Sequence, residues 1–146
     1  QYLLGVMYSN GQCVPQDYTQ AASWHRLAAN QGLQEAHYAL GLMYSLRQGV
    51  PQDYAQAVSW YRKAAEQGYA DAQYNLGAMY FNGQGVPQDY VEGHKWFNLA
   101  ASRASAEDQK EYAERRDAVA EKMTPQQIAD AQQRATEWLA AFAKRN

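Results

Sequence analysis

The side chains able to do chemistry are few, and their spacing assembles no reaction centre. The chain has three histidines, His25, His37 and His94, and one cysteine, Cys13. A metal site needs several His, Cys or carboxylate groups converging at characteristic spacings, and none stands at such a spacing from these histidines. A nucleophile and base pair made of Cys13 and His25 would need a thiol of depressed pKa, and nothing near Cys13 in the sequence supplies one. Cys13 reads instead as a replaced turn glycine. Glu107, Asp108 and Glu111 form an acidic cluster, but Lys110, Arg115 and Arg116 lie among them, the pattern of a solvated face. The histidines read as surface or half-buried positions. No catalytic, metal-ligating or cofactor-binding residue is expected, and the chain does not read as an enzyme.

The bulk properties narrow the partners. A chain of 146 residues falls in the range of one domain. Its net charge of −2, with 19% charged residues and no basic run, lacks the footprint of a nucleic-acid binder. Its apolar stretches are only a few residues long, so no membrane insertion is expected. A single cysteine excludes an internal disulfide and leaves the redox compartment open. The opening residues, Gln1 to Gly5, align with the interior of later segments, so the chain reads as a piece of a longer protein. Its N-terminal edge is then open and a candidate for self-association.

What the sequence offers in place of a reaction centre is repetition. Val-Pro-Gln-Asp-Tyr occurs at residues 14–18, 50–54 and 86–90, each copy starting 36 residues after the one before. Leu4-Gly5, Leu40-Gly41 and Leu76-Gly77 keep the same register, as do Trp24, Trp60 and Trp96, and the alanine pairs at 28–29, 64–65 and 100–101. Nine of the twelve tyrosines fall in three such columns, which marks them as core rather than a stacking surface. A fixed period of this length is the signature of a solenoid, whose units bury their apolar faces only against their neighbours.

Each unit reads as two helices. In the second helix of the middle unit, Tyr54, Ala57, Val58, Tyr61, Ala64 and Ala65 recur every three or four positions, one apolar stripe. Asp53 stands where a helix is capped, and Gln56 is placed to complete a capping box. Asp17 with Gln20 and Asp89 with Glu92 repeat the pattern. Gly32 and Gly68 suit the left-handed residue that follows such a helix. The repeated pentapeptide is therefore punctuation: Pro resists the preceding helix, Asp starts the next and Tyr anchors it. A glycine inside each first helix, Gly41 or Gly77, costs roughly 1 kcal/mol against alanine, so a close helix approach is expected there.

Three segments carry a resemblance: Ala72-x-Tyr74-x-Leu76-Gly77-x-Met79-Tyr80, then Gly83-x-Gly85-Val86-Pro87-x-Asp89-Tyr90, and Ala57-x-x-Trp60-Tyr61-x-Lys63-Ala64-Ala65-x-x-Gly68. They resemble the Sel1-like repeat family, a relative of the tetratricopeptide repeats. The match covers about residues 1–104, as three repeats at about 1–32, 33–68 and 69–104. Repeat two departs at Leu46-Arg47, where the others have Asn-Gly, and repeat one at Cys13, where the others have glycine. The resemblance implies an all-α, right-handed α-solenoid of antiparallel helix pairs. Its members act as adaptors in assembling complexes, often in bacteria at the envelope or in host interaction. Some have been linked to β-lactamase chemistry, but this chain contains no Ser-x-x-Lys. Beyond residue 104 the period breaks. Residues 105–146 read as a C-terminal helical cap, with Thr124-Pro125-Gln126-Gln127 opening its last helix, and as a natural end of such a protein.

The resemblance further implies that the first helices line a concave surface. At about 100° per residue, the repeated positions of the first helix occupy one side and the varying positions the other. The varying strip comprises Leu3, Val6 and Asn10, then Ala39, Leu42 and Leu46, then Asn75, Ala78, Phe81 and Asn82. This strip is the expected binding face for a protein or an extended peptide held in the concave groove. The alternatives are a self-assembly module stacking through open repeat edges and a non-catalytic part of a larger enzyme.

Overall fold

The structure, a computed structural model, describes residues 1–146, and every regular element in it is a helix. Two compact units divide the chain, Gln1–Gln67 and Gly68–Asn146. The first holds α1 (Tyr2–Asn10), α2 (Tyr18–Ala29), α3 (Gln34–Leu46) and α4 (Tyr54–Glu66). The second holds α5 (Ala70–Asn82), α6 (Tyr90–Arg103), α7 (Ala106–Ala120) and α8 (Pro125–Arg145).

One loop design joins α1 to α2, α3 to α4 and α5 to α6. The first helix of each pair ends on a left-handed residue, Gly11, Arg47 or Gly83, whose N–H bonds back to Met7, Met43 or Met79. A second left-handed residue follows at Cys13, Gly49 or Gly85. The pentapeptide then ties the loop down. Its Gln side chain donates to the carbonyl of Ser9, Ser45 or Phe81 at 2.7, 2.9 and 2.8 Å. Its Asp N–H donates to the carbonyl of Tyr8, Tyr44 or Tyr80, and its Asp carboxylate accepts the N–H of Gln20, Gln56 or Glu92. The pentapeptide therefore satisfies orphan groups of both helices it joins. The capping box is complete only at Thr124–Gln127. In the repeats the Asp half forms without a reciprocal bond, and Glu92 turns instead to Lys95 and Arg134.

These loops make the paired helices antiparallel. The end of α1 meets the start of α2 at Tyr8 and Asp17, while Gly5 lies against His25 further along. Gly41 against Tyr61 and Gly77 against Gly93 and Phe97 repeat that crossing; a β-carbon at Gly41 would run into the Tyr61 ring, and one at Gly77 would sit 3.2 Å from the Gly93 carbonyl and the Phe97 ring. The expected close approach is therefore present in all three pairs. The core is built mainly from small residues, with Ala28, Ala29, Ala36 and Leu40 forming one buried cluster and Ala21, Ala22 and Met43 another. The three tyrosine columns are half-buried rather than enclosed, and two rings that are fully buried, Tyr61 and Phe97, stand at the crossings where a glycine makes room for them. Trp60 is half-buried as well, packed on the Leu40 cluster, whereas Trp96 is buried.

The histidines are a correction. They were expected at the surface or half-buried, yet they are 2%, 7% and 3% exposed at His25, His37 and His94. His25 takes the helix-crossing position opposite Gly5, where Tyr61 and Phe97 stand in later pairs. His37 stacks on Trp60 and bonds the Ala29 carbonyl and the Gln67 amide, each at 3.1 Å.

In the second unit, α7 and α8 both pack on α6. Tyr112 of α7 stacks on Tyr74 and donates to Asp71 at 2.7 Å. Ala131 and Ala135 form the buried face of α8, and Trp138 meets Trp96 edge to face.

Candidate protein-interaction site

The varying strip of the first helices forms a groove in each unit. In the first unit Val6 and Asn10 of α1 face Ala39 and Leu42 of α3 across a recess of about 250 Å³. Tyr2, Ser9, Met43 and Gln48 complete its walls, and His25 stands behind. Burial lowers the pKa of His25 below its ordinary value, so its ring is neutral at neutral pH. This recess presents apolar side chains within an amide and hydroxyl rim.

The second unit repeats the arrangement between α5 and α7, around a recess of about 200 Å³. Tyr74, Ala78, Phe81, Asn82 and Phe97 stand where the first unit has Tyr2, Val6, Ser9, Asn10 and His25. Each pair lies 72 residues apart, two full periods (for example 74 − 2). The opposite wall is not a repeat. Arg115, Ala118 and Val119 of α7 nevertheless reproduce the spacing of Ala39, Leu42 and Met43, at i, i+3 and i+4. They are 76 residues on (115 − 39), four out of register, so a comparison at the repeat period passes them by. The apolar spacing of Tyr112 and Val119 is the signal that locates this wall. Arg115 had read as part of a solvated face; it is exposed, but it also lines the groove.

Of the expected site residues, Val6, Asn10, Ala39 and Leu42 come together in the first groove, and Ala78, Phe81 and Asn82 in the second. Leu3, Leu46 and Asn75 line neither. Leu3 is 73% and Leu46 58% exposed, and Asn75 is half-buried.

The electrostatics of the second groove centre on Tyr74. Its hydroxyl donates to Glu111 at 3.2 Å. Its pKa is raised, chiefly by burial, with Arg115 opposing that shift and Glu111 adding to it. Elsewhere, no group of three His, Cys, Asp or Glu side chains could hold a metal ion. Cys13 is an exposed free thiol while His25 is enclosed, so the two do not form a pair. No helix is long and apolar enough to cross a membrane.

The Sel1 repeat matches this chain three times, over residues 1–33, 34–69 and 70–105. The chain belongs to the Sel1 repeat family. Among solved structures, it is similar to a protective antigen of uropathogenic Escherichia coli strains that displays an SLR fold, at 27% identity and a TM-score of 0.80. That alignment covers 99% of this chain and 38% of the antigen. A Sel1 repeat protein from Oxalobacter formigenes is 36% identical with a TM-score of 0.68, over 77% of this chain and 85% of that one. No curated protein matches the chain. The all-helical architecture is thus that of the Sel1 solenoids. Sel1 repeat proteins generally act as protein-interaction scaffolds and are typically non-catalytic.

Proposed function

We propose that this Sel1 repeat chain is a scaffold that binds a protein partner, or an extended segment of one, along the varying faces of its first helices, with α7 and α8 closing the repeat array. The observation that supports this reading is the recurrence of one groove in both units. The crossing glycines and buried alanines hold the backbone geometry constant, while the lining changes from Val6 to Ala78 and from Ser9 to Phe81. A rigid spacing of variable side chains is how a repeat protein recognises a partner over several units.

The test begins with a partner captured from the source cells and identified by mass spectrometry. Its binding isotherm is then measured with the double variant Leu42→Lys and Leu46→Lys. Neither side chain is fully buried, so helicity and Tm should stay nearly unchanged, while affinity falls by about tenfold or more as Leu42 in the groove and Leu46, exposed one turn on along α3, become charges. A double variant that stays folded and binds normally would place the partner on another surface.

A further inference from the structure

The first helix pair lacks a polar contact that its neighbour keeps. In the second pair the ring at the helix crossing is Tyr61, whose hydroxyl lies 3.1 Å from the Ser45 hydroxyl. One period earlier these positions are His25 and Ser9 (61 − 36 and 45 − 36). No hydrogen bond joins them, because an imidazole is shorter than a phenol. Both residues line the recess of about 250 Å³ between α1 and α3. In the third pair the same two positions are Phe81 and Phe97, and neither has a polar group to leave unmatched.

His25 is therefore left with unused hydrogen-bonding capacity at 2% exposure. Its Nδ1, against Gly5, is enclosed and has no partner. Its Nε2, on the other side of the ring, also has no partner but is the nitrogen that retains some surface. A buried polar group left in this way is costly unless something entering the groove satisfies it.

The lining selects what that occupant is. No charged side chain lines the recess, and burial keeps the His25 ring neutral, so a carboxylate, phosphate or ammonium would be buried there without a counter-charge. A neutral imidazole nitrogen donates in one tautomer and accepts in the other, and a hydroxyl can answer both. The hydroxyl must pass Val6, Ala39 and Leu42 to reach His25. An aromatic ring fills that apolar passage and carries a hydroxyl at its tip, whereas serine and threonine are too short.

We propose that the α1–α3 groove takes a tyrosine side chain of a partner protein, its ring between Val6, Ala39 and Leu42 and its hydroxyl between Ser9 and His25, supplying the contact that Tyr61 makes to Ser45 in the next pair. Asn10 and Gln48, in the same lining, offer their amides to the peptide groups on either side. This inference rests on the reading that the first-helix faces bind peptide segments, and it gives one groove its side-chain preference.

The experiment is an NMR titration of the isotopically labelled chain with three acetylated, amidated peptides: Gly-Gly-Tyr-Gly-Gly, the same peptide with Phe, and the same with phosphotyrosine. The Tyr peptide should shift the amide signals of Ser9, Asn10 and Leu42, move the ring-nitrogen signals of His25, and bind about tenfold more tightly than the Phe peptide, the scale of a hydroxyl that meets a buried unpaired group. The phosphotyrosine peptide should bind more weakly than either. His25→Leu keeps an apolar group of similar size at the crossing and should make Tyr and Phe bind alike, with the Phe peptide's affinity unchanged. Ser9→Ala, which leaves the crossing untouched, should narrow the preference to about threefold. Equal binding of the Tyr and Phe peptides to the parent chain would overturn the proposal, as would phosphotyrosine binding as tightly as tyrosine, His25 ring signals that do not move, or no shifts from any peptide. None of these results would decide the broader reading, which the Leu42 and Leu46 variant tests independently.

Discussion

Cys13 holds a backbone conformation that its side chain disfavours. Its φ of 63° lies beside 70° at Gly49 and 72° at Gly85, so all three loops require a left-handed residue there. A β-carbon in that region costs about 1 kcal/mol or somewhat more, and glycine gives back part of the difference through its freer unfolded chain. Cys13→Gly should therefore raise Tm by about 2 °C, and a calorimetric melt that shows a fall would mean the first loop does not need the conformation. Arg47, with φ 59° where Gly11 and Gly83 stand, belongs to the same class. The strain at Cys13 was legible in the sequence because three copies could be compared. The repetition of the pentapeptide glutamine at 16, 52 and 88 was equally visible, but not its role. It went unread because a glutamine bond to a carbonyl seven residues back has no signature in spacing alone.

At the scale of elements, glycine serves two different purposes, and two substitutions separate them. Gly41 sits inside α3 with ordinary helical backbone, and its requirement is space, since a β-carbon there would enter the Tyr61 ring. The Tyr61 hydroxyl is also tied to Ser45, one turn further along α3, at 3.1 Å, so moving the ring away would break that contact. Gly32 has φ +83° and nothing within 4 Å of the missing β-carbon, so its requirement is conformation alone. Gly32→Ala should cost about 1 kcal/mol from the backbone. Gly41→Ala should cost more, about 1 to 3 kcal/mol of overpacking, less the modest gain in helix propensity. Thermal melts giving the opposite order would show that the Tyr61 ring moves aside freely. Helix boundaries, the Asp caps and these crossings could be read from periodicity, because each is a local rule applied three times, whereas the capping boxes expected at Gln20, Gln56 and Glu92 do not close. The second groove could not be read this way, since its far wall comes from α7, which keeps the i, i+3, i+4 spacing but has left the repeat register.

Across the whole molecule, the buried histidines couple stability to pH, and the two compact units should respond unequally. Gln1–Gln67 holds His25 and His37, and Gly68–Asn146 holds His94. Burial is the leading cause of a lowered pKa in each; at His37 the hydrogen bond to the Ala29 carbonyl opposes it and Lys63 adds to it, and at His94 Arg116 adds and Asp117 opposes. Above an ordinary histidine pKa of about 6.5 the ring is neutral in both folded and unfolded chains, and stability is complete. As pH falls below that value the unfolded chain takes up protons that the native rings resist, so stability declines until the folded pKa is passed. At His37 the added proton also conflicts with the Gln67 amide, which lies 3.1 Å from Nδ1 and donates to it when the ring's proton is on the nitrogen facing the Ala29 carbonyl. Between about pH 7.5 and about pH 5, hydrogen-exchange protection factors corrected for intrinsic rates should therefore fall more in α2 and α3 than in α6. His25→Gln with His37→Gln removes both titrations from the first unit and should flatten its response, while the second unit keeps its own. If the variant's first unit loses protection as steeply as the parent's, the acid sensitivity belongs to its carboxylates instead of its histidines.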